Sequence, residues 1–151
     1  MLHATDTTPS HFLTSDHRAC DGLWAALEGF VEDGDREAAR VAFDRFRSAM
    51  LLHFEREEQR LFPPIEAAMG MPAGAGPTAV MRMEHTQMRG VLDQMASCAA
   101  AGDWQDVVDH GDTLLMLIQQ HNVKEEGILY PMADRALATQ WQTVARGWTL
   151  D

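Results

Sequence analysis

Apolar side chains along this chain recur at alternating spacings of three and four residues, which is the periodicity of a helix with one buried face. Ala, Leu, Met, Glu, Arg and Gln dominate, and no run alternates apolar and polar positions with the period of a strand. Turn and cap residues interrupt the pattern at 9–10, 32–35, 70–77 and 101–103. The pattern therefore predicts four helices, at about 10–31, 35–68, 78–100 and 103–135. Their short connections favour an all-α, antiparallel up-down-up-down four-helix bundle.

Two prolines fall late in the second and fourth predicted helices, at Pro63 and Pro131. Proline has no N–H to donate within a helix, so we expect each helix to kink or end there. The segment 139–151, TQWQTVARGWTLD, is predicted to form either a last helical turn or a capping tail.

The second half of the chain repeats the first at an offset of 68 residues without a gap. Only ten of 51 aligned positions are identical, so the argument for a repeat depends on which residues match. The matches include His17 with His85, His53 with His121, Glu57-Glu58 with Glu125-Glu126, and Pro63 with Pro131. The repeated unit is a helical hairpin with one His on its first helix and His-x-x-x-Glu on its second. Two such hairpins packed together thus bring four His and two Glu into one bundle.

These six residues fall on the apolar stripes of the four predicted helices. His17 follows Leu13 and precedes Cys20, and His85 lies between Met81 and Met88. On the second helix the stripe runs through Met50, His53, Glu57 and Leu61, and on the fourth through Ile118, His121, Glu125 and Ile128. An unpaired carboxylate in such a core would cost several kcal/mol. We therefore expect a cation among these side chains.

This set of side chains suggests that a bound metal supplies the positive charge that the buried carboxylates need. His and Glu four residues apart project from one face of a helix, and six ligands from four helices suit two ions better than one. Mixed imidazole and carboxylate ligands favour iron, manganese or zinc over magnesium or calcium. The predicted metal ligands are His17, His53, Glu57, His85, His121 and Glu125.

Other polar residues carry weaker expectations. His3, His11 and His110 have no counterpart in the repeat and are expected at surface or terminal positions. Glu55, Glu58 and Glu126 fall off the stripe and are expected in solvent, although the repeated pair Glu58 and Glu126 could orient ligands. Cys20 and the methionines are expected to fill the core.

Composition and charge narrow the possible partners and location. At 151 residues with 46% apolar side chains the chain is sized for one domain. A net charge of −11 argues against a nucleic-acid partner. We expect no membrane partner, since the apolar stretches are too short to span a bilayer and the N-terminus does not resemble a signal peptide. Cys20 and Cys98 are expected to be reduced, which favours the cytoplasm.

The motifs DHR at His17, HFERE at His53, EH at His85 and HNVKE at His121 resemble those of the hemerythrin-like domains, also called HHE cation-binding domains. The resemblance covers about 10–135 and implies one domain over 1–151, with a tail at 136–151. It also implies a non-haem di-iron centre with an oxo or hydroxo bridge. By this resemblance His17 and His53 bind one iron, His85 and His121 bind the other, and Glu57 and Glu125 bridge the two.

The ligand pattern differs from that of the oxygen-carrying hemerythrins, which have His-x-x-x-His on the third helix and His-x-x-x-x-Asp on the fourth. Here Met81 and Arg89 stand four residues either side of His85, and the last carboxylate is Glu125. The resemblance implies a protein that binds O₂, NO or reactive oxygen species for sensing, storage or detoxification. A redox enzyme, an iron–sulfur-cluster repair protein and a metal-storage protein remain alternatives. We expect Met81 and Met88 to line an apolar pocket beside His85.

Overall fold

Two helical hairpins pack side by side in the computed structural model, which describes residues 1–72 and 74–151. The first hairpin consists of α1 (Pro9–Glu32), α2 (Arg36–Arg56) and α3 (Phe62–Met69), and the second of α4 (Gly76–Ala101), α5 (Trp104–Lys124) and α6 (Tyr130–Ala136). The hairpins join where α1 contacts α5 and α6 and where α2 contacts α4. This architecture confirms the predicted all-α bundle, with boundaries within one or two residues of those expected. The predicted turn at 70–77 includes residue 73, which lies outside the described residues.

Local sequence sets where the helices begin and end. The Thr8 side chain accepts a hydrogen bond from the His11 N–H and caps α1, and Asp35 caps α2 by accepting from the Ala38 N–H. Gly34 and Gly102 adopt left-handed φ values of 73° and 77° in the two hairpin turns. Glycine suits this conformation because it has no Cβ to clash, which explains why the repeat keeps it.

A π turn replaces α-helical geometry just before each of the two repeated prolines. The first π turn spans Glu57–Leu61 and the second Glu125–Leu129, and each leads into a short α-helix whose first turn contains Pro63 or Pro131. The wider turn accommodates one more residue per hydrogen-bonded ring, so the helical path continues past the proline instead of ending. The prediction that Ile128 is buried was wrong: Ile128 is 58% exposed, and Leu129 takes the core position.

Two apolar cores fill the bundle at opposite ends. The turn-side core, near the hairpin turns, centres on Trp24, Phe43, Phe46, Leu92, Met95 and Leu114. The tail-side core centres on Phe12, Leu13, Phe62, Met81, Tyr130 and Trp148. Along each long helix the predicted metal ligands lie between residues of the two cores.

The C-terminal segment packs against the tail-side core. It contains a short helix, α7 (Trp141–Val144), so the predicted last helical turn is present. The Trp141 indole N–H donates to the Ala4 carbonyl at 2.9 Å, and Trp148 lies against Phe12. Two-residue strands, β1 (Leu2–His3) and β2 (Thr149–Leu150), pair antiparallel outside the bundle. Among the described residues, none of the helices has the length and apolar character needed to cross a bilayer.

Candidate metal centre

The six predicted ligands converge in the middle of the bundle. Their side chains, from His17, His53, Glu57, His85, His121 and Glu125, are all buried. The Nε2 atoms of His17 and His53 are 3.2 Å apart, and those of His85 and His121 are also 3.2 Å apart. Each hairpin thus brings together one pair of imidazoles, the pairing that the repeat predicts. We call the six residues the His/Glu cluster.

Each carboxylate of the cluster reaches an imidazole from both hairpins. Glu57 Oε1 lies 3.3 Å from Nε2 of His53 and 3.1 Å from Nε2 of His85. Glu125 Oε1 lies 3.1 Å from Nε2 of His121 and 3.1 Å from Nε2 of His17. Both carboxylates begin π turns, and each lies between the two imidazole pairs.

Four further carboxylates hold the outer nitrogens of the imidazoles. Within each hairpin, Nδ1 of His53 contacts Asp16 and Nδ1 of His121 contacts Glu84, both at 2.9 Å. Between hairpins, Nδ1 of His17 contacts Glu126 at 2.8 Å and Nδ1 of His85 contacts Glu58 at 2.6 Å. The four outer carboxylates are Asp16, Glu58, Glu84 and Glu126.

These outer contacts determine which nitrogen of each ring is free to bind. An ionised carboxylate only accepts hydrogen bonds, so in a neutral ring Nδ1 carries the proton and Nε2 presents its lone pair to the centre. Basic side chains hold three of the four outer carboxylates in turn: Arg56 pairs with Asp16, Arg89 with Glu58 and Lys124 with Glu84.

The cluster fits a bound cation on the chemistry of its donors. Four lone pairs and two carboxylates face one another, which without a positive charge is unfavourable in a buried site. Among the described residues, four buried side-chain atoms have no hydrogen-bond partner, and two of the four belong to the cluster: Glu57 Oε1 and Glu125 Oε2. Such orphaned oxygens are expected where a metal is the missing partner. Two groups within the cluster have donor atoms close enough together to hold an ion: Glu57, His85, His121 and Glu125, and His17, His53 and Glu125.

The charges of the metal-free cluster are strongly perturbed. Burial alone would lower the pKa of His53, but Glu57, Asp16 and Glu125 hold that pKa well above its usual range. Burial opposes ionisation of Glu125, yet hydrogen bonds from His121, His17 and His53 keep its pKa well below the usual range. A proton on His53 would therefore occupy part of the space where a cation belongs, and metal must displace it.

Tyr130 is a member of the site that the sequence reasoning missed. Its hydroxyl lies 2.7 Å from Glu57 Oε2, 2.9 Å from Glu125 Oε1 and 2.9 Å from Nε2 of His17. Burial and the two carboxylates raise the pKa of this phenol well above its usual range, so without metal it stays neutral and donates to a carboxylate. At the offset of 68 residues Tyr130 corresponds to Phe62. The unequal residues at this repeat position were the feature of the sequence that could have pointed to Tyr130.

The other expectations for polar residues had mixed outcomes. Glu58 and Glu126 contact Nδ1 of His85 and His17, which agrees with the alternative expectation, while Glu55 is exposed. Asp16 and Glu84, which are also equivalent in the repeat, were not anticipated. His3 and His11 are exposed and His110 is partly buried.

A narrow, mostly apolar cavity opens beside the cluster toward the turn-side core. Its lining consists of His17, Cys20, Met50, His53, Phe54, Met88, Ile118, His121 and Asn122. Met88 lines this cavity as expected, but Met81 does not, because it packs in the tail-side core on the other side of the cluster. Burial raises the pKa of the Cys20 thiol to about 12, so the thiol in the cavity wall is neutral.

A four-helix bundle that holds a buried cluster of four His and two Glu between its halves defines a class of cation-binding helical proteins. Residues 8–133 match the hemerythrin HHE cation-binding domain, and the chain belongs to this family. Comparison with curated proteins and with solved structures gave no match.

Proposed function

We propose that this protein is a non-haem di-iron protein with a His4Glu2 centre. His17 and His53 would hold one iron, His85 and His121 the other, and Glu57 and Glu125 would bridge them. The observation that carries the proposal is the position of the two carboxylates, each within 3.3 Å of an imidazole from both hairpins. The orphaned oxygens of Glu57 and Glu125 support it.

We further propose that the centre binds a small molecule, namely O₂, NO or a reactive oxygen species, for sensing, storage or detoxification. Iron bound at the centre would supply redox activity and open coordination positions for such a molecule. The protein supplies a dry site: the cluster is buried, and the adjoining cavity is walled largely by Met50, Phe54, Met88 and Ile118. A narrow apolar cavity admits small neutral molecules and disfavours hydrated ions. The free Cys20 and Cys98 support the proposal of a cytoplasmic location.

The first experiment measures metal content and optical spectrum after anaerobic loading with ferrous iron and oxidation. We expect two irons per chain in the unaltered protein. Glu57→Ala should lose both, because it removes a ligand that the two ions share. Glu55→Ala, which changes an exposed Glu two residues away, should keep both and serves as the control.

One iron per chain in the unaltered protein, or unchanged loading of Glu57→Ala, would contradict the di-iron assignment. The same loaded samples, mixed with O₂, NO or peroxide, then separate a binder from an enzyme. Steady-state consumption of peroxide or NO would favour the redox enzyme, and a stoichiometric spectral change would favour the binding protein.

A further inference from the structure

The two halves of the His/Glu cluster are alike except at one position of the repeat. Tyr130 and Phe62 both follow a π turn and are both fully buried in the tail-side core. Phe62 presents only a ring, which stacks on the imidazole of His85 with centroids 5.9 Å apart. Tyr130 presents a hydroxyl to four atoms of the cluster: Glu57 Oε2, Glu125 Oε1, and Nε2 of His17 and His53.

From this asymmetry we infer that Tyr130 is a seventh ligand, which binds the His17/His53 ion as a phenolate. The inference rests on the di-iron function proposed above. As the bond from oxygen to metal forms, the O–H bond breaks and the proton leaves to solvent, since a bound cation favours the deprotonated form of its ligand.

The distances around the hydroxyl match those between ligands that share one ion. When ligand atoms lie about 2.1 Å from a metal, adjacent octahedral positions are ~3.0 Å apart and opposite positions ~4.2 Å apart. The hydroxyl lies 2.9 Å from His17 Nε2 and 3.4 Å from His53 Nε2. It lies 2.7 Å from Glu57 Oε2 and 2.9 Å from Glu125 Oε1. All four separations are those of neighbouring positions.

The atoms below the hydroxyl have the corresponding arrangement. Nε2 of His17 lies 3.2 Å from Nε2 of His53 and 3.1 Å from Glu125 Oε1, as adjacent positions would. Nε2 of His53 and Glu125 Oε1 are 3.9 Å apart, close to the separation of opposite positions. The hydroxyl thus lies within 3.4 Å of three atoms, from His17, His53 and Glu125, whose mutual separations are those of ligands around one ion. The fourth atom near the hydroxyl is Glu57 Oε2, at 2.7 Å.

Without metal the hydroxyl has one proton, which it donates to a carboxylate of the cluster. A cation shared with His17, His53, Glu57 and Glu125 would instead let the phenol oxygen bind as the other four atoms do. The His17/His53 ion would then have five protein ligands and the His85/His121 ion four, which leaves the second ion more open to a small molecule.

The sequence makes the inference sharply testable, because Tyr130 is the only tyrosine in the chain. Any signal from an iron–tyrosinate group must come from this residue. We expect the diferric protein, with two irons per chain verified, to show a visible phenolate-to-iron charge-transfer band. Resonance Raman excitation in that band should enhance phenolate ring modes.

Two variants extend the test. Tyr130→Phe should keep two irons and lose the band, and its two Mössbauer quadrupole doublets should become more alike. Phe62→Tyr combined with Tyr130→Phe moves the phenol to the equivalent position of the other half, so the band should return.

The optical and resonance Raman spectra of the unaltered protein decide whether Tyr130 binds iron, even without the variants. If it binds two irons but shows no charge-transfer band and no phenolate modes, the seventh ligand is refuted while the di-iron proposal stands. If it binds no iron, both proposals fail.

Discussion

At the residue scale, the outer carboxylates fix the orientation and the tautomer of the imidazoles in the cluster. Glu58 accepts from Nδ1 of His85 at 2.6 Å and is itself held by Arg89 through two hydrogen bonds. Hydrogen bonds from His85 and Arg89 outweigh the effect of burial and lower the pKa of Glu58. The carboxylate therefore stays ionised, which fixes the tautomer of His85 and strengthens the Nε2 donor.

Glu58→Gln should weaken metal binding at the His85 position by about 10–100-fold, because the amide is a poorer acceptor than the carboxylate. Glu126→Gln, the equivalent change in the repeat, should weaken binding at the His17 position by less. The reason is that the Glu126 side chain is 39% exposed and that of Glu58 is 16% exposed, so water already competes at Glu126. Metal titration against a competing chelator measures both. Equal affinity in Glu58→Gln and the unaltered protein would show that the contact does not tune the ligand.

The convergence of the six cluster residues could be predicted from sequence because each satisfies two conditions, a repeat at 68 residues and a place on an apolar stripe. Asp16 and Glu84 meet only the first. Each precedes a ligand His in the chain, yet it binds the His of the next helix, and that depends on the packing of the two helices. Tyr130 meets neither condition: the repeat has Phe62 at the equivalent position, and Tyr130 stands five residues after Glu125, off the 3-4 spacing. Its role depends on where the hydroxyl points, which periodicity does not encode.

At the element scale, the 3-4 spacing explains where the cluster side chains lie, and the repeat explains the one misplaced core residue. The spacing holds from α2 through Glu57 and from α5 through Glu125, so the His and Glu side chains of these helices converge as expected. After Glu125 the next buried residue is Leu129, four residues on, and Ile128, three residues on, is exposed. The first hairpin makes the same step from Glu57 to Leu61, and Leu129 is equivalent to Leu61 in the repeat, so the repeat contained the signal that the spacing alone did not.

The contact between α1 and α5 depends on the absence of a side chain at Gly111. A Cβ built there would lie 1.8 Å from the Trp24 ring, which is buried against Phe46 in the turn-side core. The Trp24 ring therefore occupies the space that any larger residue at 111 would need.

Gly111→Ala should lower the free energy of unfolding by about 1–2 kcal/mol, since overpacking costs about 1–3 kcal/mol and the better helix propensity of Ala recovers up to about 1 kcal/mol. The matched control is Gly90→Ala in α4, where a Cβ would meet nothing within 4 Å. This control should be neutral or stabilising. Urea denaturation of the metal-free proteins gives both values. A Gly111→Ala protein as stable as the control would mean that Trp24 moves aside without cost.

At the scale of the whole molecule, the charges of the His/Glu cluster link metal binding to stability. Glu57 and Glu125 are fully buried between the two cores, where a cation would compensate their charges and join the two hairpins. Any cation that binds the folded chain and not the unfolded one stabilises the fold by mass action.

Chelation should therefore lower the melting temperature, by about 2–4 °C for each kcal/mol of stabilisation lost from a chain of this size. The drop should grow as pH rises above about 6.5, the ordinary pKa of histidine. His53 has a raised pKa in the metal-free fold, so its protonated form stabilises that fold at low pH, and this contribution is lost as pH rises through the folded pKa. Calorimetry of loaded and chelated protein across pH measures the difference. Identical melting curves after verified metal removal would contradict the linkage.

Each hairpin supplies an outer carboxylate to an imidazole of the other hairpin, which indicates how the His/Glu cluster can arise. Glu58 of the first hairpin serves His85 of the second, and Glu126 of the second serves His17 of the first. This is the reciprocal pattern of an interface between identical subunits related by a twofold axis. Two copies of a single hairpin could therefore assemble the symmetric part of the centre, but they would carry the same residue at both positions 62 and 130. Only after two such hairpins are joined in one chain can one half keep a phenyl ring while the other acquires a phenol. Fusion is what permits the two halves of the cluster to differ.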